Sequence, residues 1–168
     1  INSGDRMMVV KNNYYWLEAD STAGFIANGD IIRIKKILKT EKIFGFSFAD
    51  AIVELTDYPG EGDLEVKLIL DSINSESPSL NMEDNRKLFD AVYESYPKKL
   101  KAVERMKKTY TDPYFNALQV KFSYAVTCHK AQGGQWSTVF VDAGYMNEAM
   151  YNTEYLRWLY TAVTRATS

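Results

Sequence analysis

The stretch that decides how this chain folds is YAVTCHKAQGGQW, residues 124–136. A run with β character, residues 120–127, stops at a polar cluster at 129–132, and two glycines follow. A second short apolar run occupies residues 138–141. Apolar residues that end at a polar, glycine-marked turn indicate a buried strand delivering a binding loop at its C-terminal edge, where open α/β sheets hold ligands. A second cluster, YTAVTRA, lies at residues 160–166.

Composition narrows the classes of function. The chain has 168 residues, which suits one domain or two small ones, and a net charge of -2, which argues against a strongly basic, nonspecific nucleic-acid binder. One Cys and one His exclude a structural zinc site made by this chain alone. Nothing indicates a disulfide scaffold, so we expect a reducing, cytoplasmic setting. No apolar run approaches the roughly 20 residues that span a bilayer, so no membrane partner is predicted.

The first part of the chain has the pattern of a small antiparallel barrel. Short β-rich runs are separated by turn signals, of which Asn28-Gly29-Asp30 is the strongest because Asn and Gly tolerate positive φ. The predicted strands are residues 6–10, 31–37, 44–55 and 64–70.

Helical patterns follow the predicted barrel. Asn81 is placed to cap a helix whose first turn holds acidic residues, and a more basic helix is predicted over 98–108. Residues 86–121 hold nine basic and four acidic side chains, which indicates either a solvated helix face or a binding track. Period-two alternation from Leu118 predicts another strand, and a last helix is predicted over 153–167.

The polar cluster has the chemistry of phosphate recognition. A hydroxyl, an imidazole, an ammonium and an amide gather at one predicted strand end, and glycine lets the backbone approach a ligand closely. These residues are Thr127, His129, Lys130, Gln132 and Gly133. A catalytic Cys128–His129 pair is disfavoured, because adjacent residues on an extended strand point to opposite faces.

Arg165 is the second candidate. It follows an amphipathic helical pattern, with Thr161 and Thr164 nearby. An Arg in this place is either a solvated surface charge or an arginine finger that reaches a γ-phosphate during phosphoryl transfer.

The two clusters together resemble a known family. Residues 124–133 look like motif V of superfamily 1 DNA helicases, and residues 160–166 look like motif VI. Residues 4–8 and 28–30 resemble the opening of the SH3-like barrel inserted in the RecD-like branch. The resemblance implies an α/β fold: a partial RecA-like second motor domain with an inserted SH3-like antiparallel β-barrel and a helical insertion.

This resemblance also implies domain boundaries. We expect the SH3-like barrel over residues 1–76, the helical insertion over 77–112 and the partial RecA-like domain over 113–168.

The resemblance further implies roles for single residues. In such helicases two RecA-like domains clamp ATP, and single-stranded DNA runs across them. The residues that contact DNA would be Thr127, His129 and Lys130. The residues near ATP would be Gln132, Gly133 and Arg165, with Arg165 at the γ-phosphate. Because the barrel lines the DNA path in RecD-like enzymes, Tyr14, Tyr15 and Trp16 are candidates to stack on bases, although a barrel-core role stays open for at least one of them.

The sequence also departs from a complete helicase. No Gly-x-x-x-x-Gly-Lys-Ser/Thr motif is present, so ATP and Mg²⁺ would be held mainly by an N-terminal RecA-like half of the same protein, with the Mg²⁺ ligands there. We therefore expect this piece alone to bind no cofactor or metal and to be inactive. The alternative is a helicase-derived module that binds nucleic acid or a protein without catalysis.

Overall fold

The computed structural model describes residues 1–18 and 21–167. The chain separates into two compact units, the first spanning Ile1–Tyr124 and the second beginning at Ala125. No helix within the described ranges combines the length and the apolar character needed to cross a lipid bilayer.

Five strands of the first unit close into a barrel. Neighbouring strands are antiparallel except β4 and β5, which run parallel. The strands are β1 (Arg6–Val9), β2 (Ile31–Ile43), β3 (Phe46–Leu55), β4 (Asp63–Ile69) and β5 (Leu118–Phe122). The predicted barrel is confirmed for its first four strands, but the prediction of wholly antiparallel pairing is wrong. The parallel pair arises because the chain crosses over through a helical insertion before β5.

The barrel is filled by aliphatic side chains. In strand β3, residues alternate between buried and partly exposed for most of its length, because successive side chains of a strand point to opposite faces of the sheet. Strand β2 shifts its register against β3 between Ile34 and Lys36 and again between Ile37 and Lys39, which bends the strand around the closed sheet. The buried core residues are Met7, Val9, Ile26, Ile32, Ile34, Ala51, Val53, Leu55, Val66, Leu68, Leu118 and Val120.

The β2–β3 hairpin turns at Phe44 and Gly45. Both residues have positive φ, 58° and 81°, as a tight hairpin turn requires. The strand predicted from Phe44 therefore starts later, at Phe46. The Phe44 ring meets the edge of the Tyr114 ring at 5.3 Å between centroids, which helps to hold this residue in a conformation that is uncommon outside glycine.

Three helices lie between β4 and β5. They are α1 (Asp71–Asn74), α2 (Met82–Ser95) and α3 (Ala102–Tyr110). The predicted cap is confirmed, because the Asn81 side chain accepts a hydrogen bond from the backbone N–H of Asp84 at 2.8 Å. A second apolar cluster joins α2 to the barrel, and it consists of Phe46, Phe48, Ile69, Leu80, Leu88, Val92 and Ala117.

A charged network lies on the same side of the barrel as this second cluster. Lys67, which is almost fully buried, pairs with Asp50 and lies 3.4 Å from Glu41, and its ammonium is 4.3 Å from the centroid of the Tyr114 ring. The Tyr114 hydroxyl donates to Glu41 at 2.7 Å, and Lys39 contacts the other Glu41 oxygen at 2.6 Å. The network therefore links strands β2, β3 and β4 to the segment that follows α3.

Strand β5 is held to the end of β4 by Ser72. This buried side chain accepts the backbone N–H of Val120 at 2.9 Å, and its hydroxyl lies 2.8 Å from the carbonyl oxygen of Ile69. The β4–β5 ladder itself pairs only Leu68 with Leu118 and Ile69 with Gln119. Ser72 therefore supplies bonds where the ladder is shortest.

The position of β5 also bears on the expected boundary at residue 113. Residues 118–122 pair with β1 and β4, so this strand belongs to the barrel and does not open a separate domain. The two compact units instead divide after Tyr124.

The second unit, as far as it is described, is built from one longer helix and irregular segments. The helix α4 (Thr153–Val163) begins at Asn152, whose side chain accepts the N–H of Tyr155 at 3.0 Å. Our prediction of a buried strand through Thr127 is wrong beyond Phe122, because residues 124–127 are exposed and irregular. The apolar run at 138–141 also forms no strand. The parallel sheet of a RecA-like domain is accordingly not seen in these residues.

We expect Ser72→Ala to lower the free energy of unfolding by about 1–3 kcal/mol, because the Val120 N–H would stay buried without its partner. Urea denaturation measures this change. Ser95→Ala is the matched control, since the Ser95 hydroxyl bonds only the Val92 carbonyl at an exposed helix end and its loss should cost less than about 0.5 kcal/mol. Equal effects of the two substitutions would contradict the role given to Ser72.

We also expect stability to fall in acid through Glu41. The Lys39 ammonium first, and then the Tyr114 hydroxyl, lower the pKa of Glu41 from 4.5 to about 2. A carboxyl with a lowered pKa stabilises the fold above its unfolded value, and this stability is lost as pH falls from 4.5 towards about 2. Glu41→Gln should therefore be less stable than wild type at neutral pH but lose less stability on acidification.

Urea midpoints at about pH 6 and about pH 3 measure that difference. Glu65→Gln, which removes an exposed carboxylate from β4, controls for general loss of negative charge. The assignment fails if wild type and Glu41→Gln lose the same stability between the two pH values.

Candidate functional site

The polar cluster forms a compact turn. The N–H of Ala131 donates to the Thr127 carbonyl at 3.0 Å, and that of Gln132 donates to the His129 carbonyl at 3.3 Å. The Thr127 hydroxyl accepts the Lys130 N–H at 3.4 Å, so Thr127 caps the start of the turn. The turn ends at Gly133, whose φ of 90° is a conformation that favours glycine.

The side chains of this turn divide into an inner and an outer set. Ala131 is buried, whereas His129, Lys130 and Gln132 are exposed. The sulfhydryl of Cys128 lies 3.5 Å from the Trp158 carbonyl, which connects the turn to α4. Cys128 is half-buried, and this contact is directed away from the neighbouring His129 towards the helix.

Arg165 lies against the end of this turn. Its guanidinium donates to the Thr161 carbonyl at 3.2 Å, to the Gly134 carbonyl at 3.3 Å and to the Thr164 hydroxyl at 3.4 Å. These acceptors are neutral, and no carboxylate in the described part of the chain forms an ion pair with Arg165. The half-buried cation is held in place without being neutralised.

A short parallel bridge brings the two sequence clusters together. The N–H of Trp136 donates to the Arg165 carbonyl at 2.9 Å, and the N–H of Thr167 donates back to the Trp136 carbonyl at 2.8 Å. Trp136 pairs with Ala166 between these bonds. The backbone of Trp136 thus holds the chain on both sides of Ala166, next to Arg165.

Gly134 is required by the packing of Trp136. A Cβ atom at Gly134 would lie 2.2 Å from the tip of the Trp136 indole ring. Trp136 is 46% exposed, and its ring lies over the backbone of the turn. The Gly-Gly pair that the sequence marked as a ligand approach therefore also accommodates this ring.

Helix α4 turns only a narrow apolar stripe inward. The inward side chains include Tyr155, Trp158 and Ala162. Two large side chains of this helix, Leu156 and Tyr160, are 63% and 70% exposed.

The aromatic residues of the barrel have different surroundings. Trp16 packs against the barrel core, and its indole N–H donates to the Asn116 carbonyl at 2.8 Å. These contacts fit the barrel-core role that the sequence left open for at least one of the three aromatic residues. Tyr14 is 71% exposed and keeps an accessible ring.

Comparison with known families identifies the segment that carries both clusters. Residues 122–168 match the family model of the UvrD-like helicase C-terminal domain. The match supports a superfamily 1 helicase C-terminal part, and with it a helicase-derived origin for this piece of the chain. A search of curated proteins found no match.

We expect Gly134→Ala to displace the Trp136 ring, because the added methyl group would overlap the indole. Fluorine NMR of protein labelled with fluorotryptophan measures this as a shifted Trp136 resonance with Trp16 unchanged. Gly60→Ala is the control, since a Cβ at Gly60 meets no atom within 4 Å. An unshifted Trp136 signal in Gly134→Ala would contradict the observed packing.

Proposed function

We propose that this chain is the C-terminal motor part of an ATP-dependent DNA helicase of the RecD-like branch of superfamily 1. The family match at residues 122–168 supports the helicase class, and the closed five-stranded barrel fits an SH3-like insertion. In this proposal the N-terminal RecA-like half of the same protein binds ATP and Mg²⁺, and the second unit completes the nucleotide site.

Arg165 carries the proposal. A guanidinium held only by neutral acceptors keeps its full charge for an anion, and three fixed contacts restrict its motion before the ligand arrives. We assign Arg165 as the arginine finger that stabilises charge developing on the γ-phosphate. Gln132 and Gly133 are the two residues directly before Gly134, whose carbonyl holds Arg165, so we assign them to the nucleotide side of the same turn.

The other end of the turn suits a nucleic-acid backbone. The Thr127 oxygen accepts one hydrogen bond from the Lys130 N–H, which leaves its O–H to donate to a phosphate oxygen. His129 and Lys130 are exposed beside it and add an imidazole and a cation. We assign these three residues to single-stranded DNA, so that one turn contacts DNA at its start and nucleotide at its end.

The test is ATP hydrolysis by the full-length protein with and without single-stranded DNA. Arg165→Ala should lower turnover by about a thousandfold or more while ATP binding is largely retained, because an arginine finger acts mainly on the transition state. Nucleotide binding is measured separately with a fluorescent ATP analogue.

Arg157→Ala is the matched control for this experiment. Arg157 lies on the same helix, is exposed and pairs with Glu154 at 2.7 Å, so its loss should leave turnover near the wild-type value. Normal turnover in Arg165→Ala would refute the finger assignment. Absence of turnover in wild type would favour the binding-module alternative.

A further inference from the structure

Trp136 is a large aromatic residue to which the proposed function gives no role. Its backbone is tied to the end of the chain that carries Arg165. The Trp136 N–H donates to the Arg165 carbonyl, and the Trp136 carbonyl accepts both the N–H of Thr167 at 2.8 Å and its hydroxyl at 3.2 Å. The main chain around Arg165 is therefore held by Trp136 through backbone atoms, which a change of the Trp136 side chain leaves in place.

The ring of Trp136 bears on a second contact of Arg165. Three atoms of the indole would lie within 3.0 Å of a Cβ at Gly134, so the ring rests directly against the Gly134 backbone. The carbonyl of Gly134 accepts the hydrogen bond from the Arg165 guanidinium at 3.3 Å. Glycine has wide conformational freedom, and a ring packed on it restricts the peptide unit that it belongs to. The indole thus limits the positions that this carbonyl is able to take.

The other contacts of the guanidinium do not replace the bond to Gly134. Its acceptors at Thr161 and Thr164 lie within four residues of Arg165, so they orient the side chain relative to its own helix end. Among the hydrogen bonds of this guanidinium in the described ranges, the one to Gly134 comes from the turn. The packing of Trp136 on Gly134 therefore sets where Arg165 lies relative to the turn.

We propose that Trp136 is a positioning residue for Arg165, and that its ring, packed on Gly134, keeps the guanidinium where it reaches the γ-phosphate. The inference rests on the proposed function, because it requires Arg165 to act as the arginine finger. Trp136 itself touches no reacting atom. Its effect is large because a misplacement of about 1 Å is enough to cost about a hundredfold in rate.

The first measurement is ATP turnover by the full-length protein with single-stranded DNA present. Trp136→Ala removes the ring but keeps the backbone hydrogen bonds, so kcat should fall by about 10- to 100-fold while the KM for ATP changes by less than about twofold. Trp136→Phe keeps a flat ring to lie on Gly134 and should restore most of the turnover. Equal losses in the Ala and Phe variants would overturn the role given to the ring.

The second measurement separates positioning from general packing. ADP with aluminium fluoride mimics the transferred phosphoryl group, so wild type should bind it more tightly than ADP alone, because an arginine finger acts on the transition state. Trp136→Ala and Arg165→Ala should both lose most of this preference and still bind ADP. Trp158→Ala is the control for lost packing, since it removes a half-buried ring that stacks on Tyr155 in the same unit. Any loss of binding in this control should affect both ligands equally.

The double variant Trp136→Ala/Arg165→Ala tests whether Trp136 acts through Arg165. A residue that acts only through the guanidinium adds no further loss once the guanidinium is gone, so the double variant should bind the analogue like Arg165→Ala. A further loss would overturn the positioning role, and so would equal losses of ADP and analogue binding in Trp136→Ala.

The failure of this inference is distinct from the failure of the proposed function. If Arg165→Ala loses turnover while Trp136→Ala keeps the wild-type kcat and the wild-type preference for the analogue, the positioning role is overturned and the arginine finger stands. If both variants turn over ATP normally, the arginine finger is refuted and the positioning role with it.

Discussion

Closure of the barrel by β5 is the constraint on which the first unit depends. β5 pairs antiparallel with β1 through Met7, Met8 and Val9 and parallel with β4 through only two residue pairs. Without it, β1 and β4 would be open edges, and the backbone groups there would lack partners. The long excursion before β5 is tolerable because the entropy cost of loop closure grows slowly, by about 0.6 kcal/mol for each doubling of length. Hydrogen bonds between the insertion and β5 then help to hold the returning strand. Ser72 bonds Val120, and Gln119 accepts the Leu80 N–H at 2.9 Å.

Local patterns in the sequence predicted the parts of this fold that depend on neighbours in the chain. Strands β1 to β4 follow from short β-rich runs and the turn residues between them, and the Asn81 cap follows from a side chain that satisfies an N–H three residues away. The role of β5 did not follow, because alternation shows that Leu118–Phe122 is a strand but not which strands it joins. A run with that pattern could open a new sheet or close an earlier one. Burial of Lys67 was equally hidden, since its partners Asp50 and Glu41 come from other strands.

In the candidate site, too, the sequence predicted the residues involved but not the contacts that join distant parts of the chain. The polar turn and Arg165 were identified from residue chemistry and from a resemblance, and the structure brings Gly134 and Arg165 within hydrogen-bond distance. What the sequence did not reveal is the means of this approach, the bridge of Trp136 to Ala166. The only signal that could have suggested it is the Gly-Gly pair, because a small residue two positions before a large ring leaves space for the ring to fold back. The choice between the two roles left open for the aromatic residues of the barrel had the same obstacle, since the sequence of a loop does not reveal whether a ring such as that of Trp16 packs on the barrel core.

The loop after β1 and the segment that leads from α3 into β5 form a surface groove, and the shape of this groove depends on closure of the barrel. One wall follows β1 directly and the other precedes β5 directly, so the β1–β5 ladder sets the distance between them. Asn116 reinforces that spacing, because its carbonyl accepts both the Asn13 amide at 2.8 Å and the Trp16 indole N–H at 2.8 Å. The groove therefore exists only when the insertion has folded and β5 has returned. A helical insertion between β4 and β5 thus does more than lengthen the chain, since it delivers Tyr110 to a surface that the barrel strands alone would leave incomplete.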